Sequence, residues 1–144
     1  MIKHIEHEGR LLAMIVPATF NEPGVHFFTD TGLSQQLAYM QHPAGKDIQA
    51  HVHKPVRREI HYTQEVLVLR KGKLRVDFYD DDQTYLESQI LTSGDIILLV
   101  EGGHGFKVLE EIEMFEIKQG PFVPDQDKVK FHGITEDDAH FPEH

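Results

Sequence analysis

The sequence predicts an all-β fold, a barrel or a sandwich, on three observations. Short apolar runs recur about every eight to twelve residues, turn residues punctuate them, and no stretch keeps a helical apolar period. The 144 residues suit one domain spanning 1–144. Its barrel core is expected over about 11–119, with a polar C-terminal tail at 120–144.

Leu11 to Ala18 is apolar and stops near Pro23-Gly24, where turn chemistry takes over. Val25 to Thr29 is a short aromatic run, Ser34 to Gln41 alternates loosely, and Ile48 to His53 leads to Pro55. Glu65 to Tyr79 reads as a hairpin, with Val66 to Leu69 and Leu74 to Tyr79 as strands around a Lys71-Gly72-Lys73 turn. Asp80 to Asp82 marks a solvated turn, Thr84 to Leu91 a further strand, and Ile96 to Val100 a buried one. Phe106 to Leu109 and Ile112 to Lys118 read as a second hairpin. Phe122 and Phe131 are expected to pack on the barrel, and Asp137 to His144 to be mobile.

Composition narrows the function. Twenty-four acidic residues against fourteen basic ones leave a formal charge of −10, which repels a phosphate backbone, so no nucleic-acid partner is expected. The start is polar, and no apolar run is long enough to span a bilayer. No membrane partner is expected, and the chain reads as soluble and cytoplasmic. With no cysteine, any metal must be held by imidazole and oxygen.

Eleven histidines matter only through their spacing. His51-Val52-His53 in a strand would send both imidazoles to one face, and a shared metal accounts for such a pair more simply than unpaired burial. Two exposed histidines on an edge strand are the alternative. Glu65 opens an apolar strand, where a carboxylate needs a cation partner unless the strand end is exposed to solvent. His104 sits among Gly102, Gly103 and Gly105, a backbone able to bend and aim the ring inward. These four, His51, His53, Glu65 and His104, are the candidate ligands of one divalent ion.

Their order resembles the cupin motifs. Gly45 is followed by five residues and His51-Val52-His53, and Glu65 by six residues and Gly72. Gly94 to Gly102-Gly103-His104 is similar to the second motif, with Val100 in place of proline and the histidine one residue early. Eleven residues separate His53 from Glu65, where the family motif has about three or four. Glu59 is therefore the competing carboxylate, and 54–64 an inserted loop. The resemblance covers roughly 33–118 and implies a single-domain cupin β-barrel, a double-stranded β-helix or jelly roll. Thr63 to Leu67, Gly102 to Phe106 and Lys118 to Pro121 are similar to a bacterial subgroup associated with sugars and polysaccharides.

That likeness implies a metal-dependent enzyme (Zn, Fe, Ni or Mn) that isomerises or epimerises a small, sugar-derived molecule. An iron-dependent dioxygenase and a non-catalytic sugar-binding module are the alternatives. His61 and Tyr62 are candidate proton-transfer residues, while Lys118 and Arg57, beside Arg58 and Lys54, are candidates for binding an anionic group. A homodimer is implied by the resemblance, with Leu11 to Ala18 as a candidate for strand exchange.

Overall fold

Alternating apolar side chains build one curled antiparallel sheet in the computed structural model, which describes residues 1–144. Strands β1 (Lys3–His7) and β2 (Arg10–Val16) form a hairpin around Glu8-Gly9, both at positive φ (51° and 75°), the two-residue turn whose twist matches its strands. A small separate sheet pairs β3 (Gly24–Phe27) with β4 (Ala38–Gln41). The main sheet continues with β5 (Glu65–Tyr79), β6 (Tyr85–Thr92), β7 (Ile96–Leu99) and β8 (Gly103–Lys118). Its order is β1-β2-β7-β5-β6, with β8 along the other edge of β5, and the whole curls into a half-barrel. No helix is long and apolar enough to cross a membrane.

Strand β5 organises the rest. Its first residues pair with β7, its last with β6, and nearly its whole length with β8. Leu67, Leu69, Leu74, Val76 and Phe78 point into one core with Leu12, Ile15, Leu91, Ile97 and Leu99. Leu69 and Leu74 are five apart, a spacing that strict alternation would send to opposite faces. The register shifts between Leu69 and Leu74 restore them to the same face. Gly72, at φ +89°, supplies that irregularity, so it forms a bulge inside one strand rather than the hairpin turn its sequence suggests.

Other expectations change for related reasons. Phe106 to Leu109 and Ile112 to Lys118 form one strand, β8, because both halves pair with the bulged β5. Ile48 to His53 forms no strand at all, and 42–64 is irregular and exposed almost throughout. Only Ala38–Gln41 of the 34–41 run is a strand. Strand β1, too polar to have been read as one, gains its place by pairing with β2.

The tail also differs from expectation. Phe131 does pack, edge-on against Tyr79 at 4.9 Å, and the Ile134 N–H donates to the Tyr79 hydroxyl at 2.9 Å. Beyond it, 137–144 is bound rather than loose. The Ser88 N–H donates to the His140 carbonyl at 2.7 Å, Gln89 donates to the Pro142 carbonyl at 3.0 Å, and His144 meets Glu87 at 2.6 Å. The tail thus covers the free edge of β6, a common way of blunting an unpaired strand.

The bulge yields a direct prediction. A Cβ on Gly72 would collide with the Glu111 carbonyl oxygen, and the positive φ disfavours any L side chain. Gly72→Ala should therefore lower the unfolding free energy by about 1–3 kcal/mol. A urea midpoint unchanged from wild type would mean that β5 and β8 do not meet through this bulge.

Candidate functional site

A cavity of about 880 Å³ opens beside the start of β5 and the start of β8. Its walls come from 61–63, from 101–107 and from tail residues 126–134, and only six of its 23 lining residues are hydrophobic. Volume and lining suit a small polar molecule.

Glu65 enters this cavity at the first position of β5, ahead of the buried Leu67 and Leu69. In the antiparallel register Lys118 lies opposite Glu65, and Glu116 opposite Leu67, so all four side chains share one face. Burial raises the Glu65 carboxyl first, and the neighbouring Glu116 raises it further by charge and by a hydrogen bond. Lys118 and Lys128 pull the other way, and the balance is a pKa pushed up to about 7. Burial lowers the His104 imidazole, and Lys128 lowers it more, against an opposing effect of Glu116. The ring therefore favours its neutral form, which can accept a proton or a cation.

Hydrogen bonds fix the rim. Asp127 on the tail accepts from the Thr63 hydroxyl at 3.0 Å and from the Lys118 ammonium at 3.4 Å. Those two bonds join the inserted loop, the tail and β8. The Thr63 bond is also the largest cause of the lowered Asp127 pKa. Burial works against the Lys118 charge, but Glu116, Asp127 and Glu65 outweigh it and raise its pKa. Deeper in the wall, Arg75 grips Asp77 through two bonds of 2.8 and 3.0 Å, and the Ser88 hydroxyl donates to the same carboxylate. Both members of that pair are buried, and both line the cavity.

The candidate ligands divide into two groups. Glu65 and His104 line the cavity. His51 and His53 stand on the exposed 42–64 loop, their ring centroids 5.2 Å apart, with His51 Nδ1 at 2.8 Å from the Gln49 carbonyl oxygen. No three His, Asp or Glu side chains stand close enough together to hold a metal ion, so the four residues as placed in this chain do not fit one. His51 and His53 lie in no strand, so no strand face turns them to one side. Glu59, the competing carboxylate, lines a smaller hollow with Ile60 and Leu33. His61 and Tyr62 border both hollows, Lys118 sits directly across from Glu65, and Arg57 is exposed on the loop.

Sequence reasoning missed Glu116, Asp127 and Lys128. Glu116 lies in the mixed run Glu113-Met114-Phe115-Glu116-Ile117, where it reads as a solvated strand residue until the β5 register is known. Asp127 and Lys128 lie in a polar tail with no local signal.

Comparison of the chain with protein-family models, with curated proteins and with solved structures found no match.

The Glu65 environment sets a pH dependence. The folded carboxyl holds its proton more tightly than the unfolded chain does, because its pKa is raised from 4.5 to about 7. Its contribution to stability is thus fully present at pH below 4.5 and is lost as pH rises towards about 7. Carbon-detected NMR should find a Glu65 midpoint near 7, and a lower one in Glu116→Gln. A wild-type midpoint near 4.5 would place this carboxyl in open water.

Proposed function

We propose that this protein is an enzyme of the isomerase or epimerase type acting on a small polar molecule in the cavity beside β5 and β8. The observation that carries the reading is the convergence of Glu65, His104 and the charge of Lys128 on one polar-lined space of about 880 Å³. A carboxyl and an imidazole facing one substrate volume can remove a proton beside a carbonyl and return one to the neighbouring carbon or the opposite face. The lysine ammonium favours the negative charge that develops on the carbonyl oxygen between those two steps. His61 and Tyr62 line the same cavity, where they can orient a hydroxyl-rich ligand. The motif order supports a cupin-type barrel as the finer form of the half-barrel, and the resembled subgroup supports a sugar-derived substrate.

A metal centre is the second reading, and the residue types favour it: three histidines and one carboxylate are a donor set suited to Zn, Fe, Ni or Mn. It requires the 42–64 loop to carry His51 and His53 to the cavity, so the proton-transfer steps above involve this chain's own residues alone. Elemental analysis of the wild type beside His51→Ala tests it. Near one metal per chain, lost in the variant, supports the centre; no metal in either after reconstitution removes it.

The enzymatic reading is tested in deuterium oxide. Hexoses, hexose phosphates and nucleoside diphosphate sugars are incubated with the protein, and proton NMR follows exchange at carbon-bound positions. At least one class should incorporate deuterium, and Glu65→Gln should slow that exchange about 10²- to 10⁴-fold. Binding with no exchange in any class would leave a sugar-binding module instead.

A further inference from the structure

The cavity has a second wall that proton transfer does not use. Along β5, Leu74, Val76 and Phe78 point into the core, so Arg75, Asp77 and Tyr79 turn to the opposite face, and all three line the cavity. In the β8 register they lie opposite Lys107, Gly105 and Gly103. Arg75 and Lys107 are thus cross-strand neighbours, beside a stretch of β8 that carries no side chain on this face. The tail closes the wall through Phe131, which packs on Tyr79, and the adjoining Lys130 also lines the cavity.

Arg75 is only 6% exposed, and its bonding is incomplete. A guanidinium has five N–H donors. Within the chain only Nε and Nη2 are used, each for one bond to Asp77. No side-chain nitrogen or oxygen sealed away from solvent lacks a partner, so the unbonded Nη1 must reach the cavity that Arg75 lines. Asp77 has no such surplus, since Arg75 takes both its oxygens and the Ser88 hydroxyl shares one.

Gly105 is the second sign of a ligand. It lies inside β8, where a glycine weakens the strand, and its φ is not positive. A Cβ there would meet only the edge of the Tyr79 ring, at an ordinary 3.8 Å. The chain leaves room for a side chain and places none, as happens where a ligand approaches a strand backbone closely.

The charge left over on this wall is positive. Asp77 is held by Arg75, Asp127 by Thr63 and Lys118, and Asp81 and Glu101 by Arg10. Lys128 and Lys130 make no ion pair within the chain, and Lys107 makes only a 3.7 Å contact with the exposed Glu136. In a chain of net charge −10, a concave surface with uncommitted cations favours an anion.

We propose that Arg75 and Lys107, beside the bare backbone at Gly105, form a seat for a phosphoryl group, completed by Lys130 from the tail. A phosphate presents three strong acceptor oxygens, enough for the free guanidinium edge and both ammonium groups at once, whereas a carboxylate presents two. The seat lies on the opposite face of the ribbon from Glu65 and His104, so the phosphoryl group belongs to the end of the substrate that does not react. That assignment to the substrate rests on the enzymatic reading above, whereas the seat itself does not.

Amide NMR during titration with inorganic phosphate, beside a sodium chloride control, tests the seat. Saturable shifts are expected at 103–107 and at the Arg75 Nε–H. Gly105→Ala and Lys107→Gln, which leave the Arg75–Asp77 pair intact, should each weaken binding about tenfold. No saturable shift, or an affinity that neither variant changes, overturns the seat. Glucose 6-phosphate is then compared with glucose. The phosphate ester should move the same amides at lower concentration than inorganic phosphate does, and glucose should leave them in place; equal shifts with glucose overturn the proposal. Phosphate binding here without deuterium exchange in any sugar class keeps the seat and removes the isomerase. Exchange in neutral sugars with no phosphate bound keeps the isomerase and overturns the seat.

Discussion

The β5–β8 ribbon is the constraint on which the rest of the structure depends. Both strands are long, and a straight pair would hold Glu65 and His104 far apart, since His104 pairs with Phe78 near the other end of β5. The irregular register around Gly72 lets the pair coil, and Glu116 accordingly acts electrostatically on both Glu65 and His104. The irregular stretch around Gly72 does two things. It keeps Leu69 and Leu74 in the same core, and it curls the sheet enough to enclose a cavity.

The second layer of the design is the tail. Arg75 and Asp77 are charged and buried, a placement that is costly unless the pair is well bonded. Their fork of two hydrogen bonds is extended by Ser88 and Tyr85, and Tyr85 accepts in turn from the His140 N–H at 2.7 Å. The tail thereby closes this chain of bonds at His140. The residues that wall the cavity at 126–134 are thus anchored from both sides, by Asp127 at the rim and by His140 and His144 on β6. A rigid wall is what a site needs if a carboxyl and an imidazole are to keep their positions.

How much of this was legible in the sequence depended on the range of the interaction. The alternation of Leu74, Val76 and Phe78 with polar neighbours is local, and it identified strand and core correctly. Gly72 was recognised as a special position, but turn and bulge both use a glycine at positive φ, and only the pairing of β8 across it separates them. Glu65 and His104 were found because each interrupts an apolar or glycine-rich run. Glu116 escaped because its neighbour on the same face, Leu67, is 49 residues away in sequence and adjacent only through the register. The His51–His53 pair was read as a strand from its alternation, although in a single chain nothing lies beside it to make it one.

That last difference has a physical origin. A strand is stable only when a neighbour completes its hydrogen bonds, and isolated extended chain carries no such gain. The 42–64 segment has the composition of an edge strand: alternating Val52 and His53, basic residues, and Pro55, which an edge tolerates. Within the chain it joins no edge. β8 has an edge and no occupant, and the charges of the two segments have opposite sign. The strand pattern at 48–53 therefore stays unrealised within the chain, because no neighbouring strand completes its hydrogen bonds.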